Sequence, residues 1–152
     1  MSMNIERSIF TTFLANYLIN TVATALVALI PASTGTGVLT PQYITFVVLA
    51  VVIVAFFAWW QAVRGWKAGL TFGVIGFVVA IATAFITGVS GVLAQTGSLS
   101  QVISVLPNFW PFLASWSTAV LLGYWIIPPF VVGWLKGKGM RSSAPAATSM
   151  TM

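Results

Sequence analysis

The sequence predicts an all-α integral membrane protein, a four-transmembrane-helix bundle with its N and C termini on the cytoplasmic side. Three observations predict it. Of the 152 residues, 59 % are hydrophobic and 5 % charged, against roughly 25 % charged in an ordinary soluble domain, so a water-soluble globule is excluded. The apolar residues fall into four continuous runs rather than the alternating pattern of barrel strands. All the basic residues, moreover, flank those runs on one side.

The runs span residues 9–30, 43–63, 68–93 and 109–135. Each has at least about 20 residues, which at 1.5 Å per residue crosses a hydrocarbon core of about 30 Å. The first exceeds the h-region of about 7–15 residues of a signal peptide, and no clear A-x-A site follows it, so it is expected to stay as a span. Pro31, Gly35, Gly37 and Pro41 punctuate the first connection. The second, around Arg64–Lys67, reads as a tight hairpin, with Gly65 placed as the left-handed cap of a helix ending at Arg64. The third connection contains Gly97 and Pro107, and its mixed polarity over residues 99–106 suits a short interfacial helix. The third and fourth runs are long enough that they must tilt, bend or project. Residues 1–135 thus form one transmembrane domain, and 136–152 a tail, first basic and then small and polar, with nothing to bury and expected to be disordered.

Arg7, Arg64, Lys67, Lys136, Lys138 and Arg141 fall on one side of the four runs, and the two opposite loops carry no charge. Short cationic loops are retained in the cytoplasm, which places the protein in the cell's inner membrane as a multi-pass chain. Trp59, Trp60, Trp66 and Trp134 mark the cationic belt, and Tyr43 and Trp110 the opposite one. The net charge of +5 forms no dense basic face, so nucleic acid is not an expected partner. Membrane lipids are.

The chain has no histidine and no cysteine, and Glu6 is its one carboxylic side chain. Metal and redox cofactors therefore lack their usual ligands, and no disulfide framework exists. Nucleophile–base constellations lack their parts inside the spans, so an enzyme is not expected. Proton-coupled four-helix multidrug exporters are similar to this chain in length and span number. Their family depends on a glutamate within the first helix, however, and here Glu6 precedes the first run.

Three groups of residues are candidates for contact or binding. Thr12, Asn16, Asn20 and Thr24 recur at i+4 in the first run and, with Tyr17, form a polar face suited to interhelical hydrogen bonds or to a ligand head group. Trp116, Tyr124 and Trp125 lie near Pro128 and Pro129, which remove backbone donors and should kink or break the fourth helix, bordering a cavity for an apolar molecule. Gly69, Gly73, Gly76, Ala80, Ala84 and Gly88 make a small-residue stripe on the third helix, with Ser115, Ala119 and Gly123 as its counterpart on the fourth.

These features predict a non-catalytic accessory or scaffold subunit, acting through helix–helix contacts in a homo-oligomer or a larger membrane complex. A binder or carrier of a lipid-like molecule, and a pore-former with the Thr12–Thr24 face lining its lumen, are the alternatives.

Overall fold

A computed structural model describes residues 4–31 and 40–142, apart from the side chains of Phe112, Trp116, Met140, Arg141 and Ser142. Four helices are long and apolar enough to cross a membrane, the architecture of a multi-pass membrane protein, and no strand occurs among the described residues.

The first span, Ile5–Ala28, joins α1 (Ile5–Leu18), a π-helical turn (Ile19–Ala23) and α2 (Thr24–Ala28). Asn4 caps it, accepting from the Arg7 amide at 3.2 Å. The second span is α3 (Pro41–Trp60), started by Thr40, whose hydroxyl accepts from the Tyr43 amide, and by Pro41 in the first turn, where a missing N–H costs nothing. The third is α4 (Trp66–Thr96), closed by left-handed Gly97. Its 31 residues extend about 46 Å, beyond a hydrocarbon core of about 30 Å. As expected, a short helix follows, α5 (Leu99–Val105); then come a 3₁₀ turn (Leu106–Asn108), α6 (Phe109–Leu113) and α7 (Trp116–Ser142).

Four expectations are corrected. The apolar run 109–135 is not one helix: it bends after α6, and α7 restarts at Ser115, whose carbonyl accepts from the Thr118 and Ala119 amides as an N-cap does. The tail is helical as far as Ser142, because α7 continues through the basic residues, and residues 143–152 lie outside the described part. Gly65 is not the cap of α3. That helix ends at Trp60, and Ala62 takes the left-handed position at φ 54°. The Val63 and Ala62 amides donate back to the Ala58 and Trp59 carbonyls, a Schellman arrangement. Gly65, at φ 87°, instead leads into α4. Lastly, α7 runs unbroken through Pro128 and Pro129, both buried.

The tight turn between α3 and α4 does not make them packing partners. α7 packs extensively against both α4 and α3, and α1 against α4 and α3, so α1 and α7 stand at opposite corners and α3 and α4 at the other two. The contact between α4 and α7 depends on absent side chains. A Cβ on Gly69 would strike the Pro129 carbonyl, one on Gly73 the Trp125 carbonyl, and one on Gly76 the Trp125 ring. The Trp125 carbonyl has lost its i+4 donor at Pro129, and the bare backbone of Gly73 lets it pack against the neighbouring helix. Gly133 approaches Gly65 in the same way and accepts its N–H at 2.9 Å.

The cations collect at one end of the bundle. Lys136 Nζ donates to the Trp59 carbonyl at 2.7 Å while lying 4.1 Å from the centre of that indole, and Lys138 stands 3.8 Å from Trp134. Arg7 borders a groove shared with Trp60 and Gln61 at that same end. Large apolar side chains face outward along the spans, among them Phe10, Val52, Phe56, Val78 and Ile127, as a lipid-facing surface requires.

Candidate functional site

The core of the bundle is unevenly filled. Towards the cationic end Val54, Phe57, Phe72 and Trp125 are buried and pack together with Ala15 and Ile19. In the other half the four spans diverge around a cavity of about 820 Å³ to which every one contributes lining. A void of this size suits a small amphiphile, since ligand sites run to roughly 300–1,000 Å³.

Asn16, Tyr17 and Asn20 reach the cavity from the first span, Tyr43 and Phe46 from α3, Ala84 and Gly88 from α4, and Tyr124 and Leu121 from α7. All three tyrosines of the chain therefore line it. None of the described lining residues carries a charge.

The first span presents its polar side chains here through the π turn at Ile19–Ala23. Such a turn widens the helix by a residue, shifts the phase of the next turns, and recurs at functional sites. Asn20 and Thr21 lie in it and both face the cavity. The Asn20 amide donates to the Asn16 carbonyl at 3.0 Å and the Thr21 hydroxyl to the Tyr17 carbonyl at 2.8 Å, re-satisfying backbone groups that the wider turn disturbs. Asn16 and Tyr124 are 4 % and 6 % exposed. Neither side chain has a hydrogen-bond partner among the described residues, although both border the cavity.

The chain matches no protein-family model, no curated protein and no solved structure.

The structure divides each candidate group. Of the polar face, Asn16, Tyr17 and Asn20 meet at the cavity. Thr12 does not: it is buried below, and its hydroxyl reaches the carbonyls of Ser8 and Ile9 within its own helix. Thr24 comes after the π turn, is exposed and is not part of the lining. In the aromatic group Tyr124 lines the cavity, whereas Trp125, Pro128 and Pro129 are buried away from it; Trp125 and Pro129 lie in the seam with α4. The side chain of Trp116 is outside the described part.

The small-residue stripe has two fates. Gly69, Gly73 and Gly76 are buried against α7, and Ala80 lies where packing gives way to the cavity wall. Ala84 and Gly88 are exposed on that wall, with open space where a Gly88 side chain would go. The expected counterpart on α7 is also displaced. Ala119 is exposed, Gly123 meets nothing within 4 Å, and Ser115 caps the helix. The face that meets α4 is Trp125, Ile126, Pro129, Phe130 and Gly133. Phe13, Tyr43, Phe46 and Ser117 are cavity residues that periodicity did not single out. The available signal was a polar or aromatic side chain near the uncharged end of each run, which reads equally well as a membrane belt.

Proposed function

We propose that the protein is a non-catalytic intramembrane binding protein, a receptor or carrier for a lipid-like or other apolar small molecule held between its four spans. One observation carries this reading: an uncharged cavity of about 820 Å³, lined from every span and bordered by Asn16 and Tyr124, two largely buried residues whose side chains have no hydrogen-bond partner among the described residues. Polar groups that lack partners at the depth of the bilayer are costly, and a ligand that satisfies them offsets that cost. The ligand is supplied by the surrounding lipid. We orient the cationic end towards the cytoplasm, with both termini there, in the cytoplasmic membrane.

The scaffold alternative draws less from the molecule, since the close-packing half of the glycine stripe is occupied by α7 of the same chain. A pore through an oligomer would need the Thr12–Thr24 face as its lumen, and that face is divided, with Thr12 buried and bonded within its own helix while Thr24 is exposed. A homo-oligomer or a larger complex is compatible with a binding role and is read out by the same experiment.

That experiment is native mass measurement of the protein purified in mild detergent. We expect retained adducts of lipid-like mass. Ala84→Phe, which grows a ring into the cavity from an exposed position, should abolish them while helical content and melting are kept. Equal adducts in wild type and variant, or none in either, would overturn the reading.

A further inference from the structure

The donor and acceptor inventory of the cavity narrows its occupant, and the narrowing rests on the binding reading above. We infer that the ligand is an amphiphile with an uncharged, carbonyl-bearing head group, of the quinone or diacylglycerol kind, bound among Tyr17, Tyr43, Tyr124 and Asn16.

Charge decides the first part. A phosphate or ammonium placed in the cavity would leave water for a site with no charged lining residue among those described, and an uncompensated ion in such surroundings is strongly disfavoured. Lys136, Lys67 and Lys138 stand at the far end, on Trp59, Trp66 and Trp134 respectively. Phospholipid head groups, anionic or zwitterionic, therefore belong at that end and not in the cavity.

Proton count decides the second part. The Thr21 and Thr83 hydroxyls and the Asn20 amide already donate to backbone carbonyls at 2.8, 2.8 and 3.0 Å. The hydroxyls of Tyr17, Tyr43, Tyr124, Thr87 and Ser117 and the amide of Asn16 make no such bond among the described residues. These are the donors left over, and a phenol proton needs an acceptor. A ligand carbonyl is an acceptor that carries no charge. Phe13 and Phe46 join the tyrosines to give the wall aromatic faces and edges, against which a planar head or an ester group packs. The apolar tail has Val120, Leu121 and the open flank of Ala84 and Gly88 beside it.

Photo-crosslinking tests the assignment. Three diazirine-bearing probes are added to the protein in neutral-lipid nanodiscs: a decylubiquinone analogue, a dioctanoylglycerol analogue and a dioctanoyl phosphatidylglycerol analogue, with labelled residues mapped by mass spectrometry. We expect at least one uncharged probe to label cavity residues, the probe that does so naming the source, and phosphatidylglycerol to label outward-facing residues alone. Tyr17→Phe and Tyr43→Phe, which keep ring and packing, should each lower cavity labelling about fivefold to tenfold, the loss of one hydrogen bond. Cavity labelling by phosphatidylglycerol as strong as by the uncharged probes, or insensitivity to both tyrosine variants, would overturn the inference and leave the binding reading standing. Absence of cavity labelling by every probe, together with adducts unaffected by Ala84→Phe, would overturn both.

Discussion

The six-membered ring of the Trp125 indole occupies the space that a side chain on Gly76 would need. Trp125 is fully buried and the contact is made from α7 to α4, the most extensively packed pair of spans. In a bilayer, where expelling water supplies little attraction between helices, such close approach is what holds two spans together.

Gly76→Ala should therefore destabilise the fold by about 1–3 kcal/mol, because the ring must move in a filled core. The control is Gly88→Ala, with nothing within 4 Å of its added carbon, which should be neutral or stabilising by up to about 1 kcal/mol through helix propensity. Unfolding in mixed detergent–dodecyl sulfate micelles, followed by circular dichroism, measures both. Equal effects would place the α4–α7 seam elsewhere.

Lys136 ties α7 to the end of α3 twice, through the Trp59 carbonyl and across the Trp59 ring. Lys136→Met should cost about 1–2 kcal/mol, combining charge at a helix C-terminus with a cation–π contact. In a Trp59→Leu background the cost should fall, since the carbonyl remains and the ring does not. An unchanged cost would mean that the ring contributes nothing.

The turn between α3 and α4 carries an alanine where glycine is cheaper and a glycine where no other residue fits well. Ala62→Gly should raise stability by about 1 kcal/mol by relieving the left-handed backbone at φ 54°. Gly65→Ala should lower it by about 1–3 kcal/mol, given φ 87° at that position. Melting of the two variants beside wild type provides the comparison, and opposite signs are the expected result.

Asn16→Leu separates a ligand-binding role from interhelical glue. A buried amide without a partner is a liability in the empty protein, so leucine should stabilise by about 1 kcal/mol while abolishing the adduct seen by native mass measurement. Destabilisation instead would assign Asn16 to holding the helices together.

The absence of cysteine makes sidedness simple to read. Gly139→Cys should react with an impermeant maleimide only when the cytoplasmic face is opened, and Thr96→Cys should react in intact cells. The reverse pattern would invert the proposed orientation.

Four uncharged runs, each long enough for a bilayer, leave the chain no alternative to membrane-spanning helices, since backbone polar groups in hydrocarbon must be satisfied locally. The one-sided placement of the cations was equally legible, because charge is a property of residues and not of packing. Asn16, Tyr17 and Asn20 could be picked out as a group because an amide in an apolar run stands out by itself.

The tertiary structure alone decided how the small and aromatic residues are used. Gly76 and Gly88 look alike along the sequence and sit on the same stripe, yet one is buried under Trp125 and the other opens on the cavity. Likewise Tyr124 and Trp125 are adjacent in sequence, with one lining the cavity and the other filling the seam. Helical periodicity defines faces, but which face meets which neighbour depends on crossing geometry and on the phase shift of one π turn. Asn20 lies within that turn and lines the cavity, whereas Thr24 follows it and does not. The diagonal placement of α3 and α4 is non-local in the same sense: it results from how well α7 fits between them, a sum of contacts that no single segment of the chain contains.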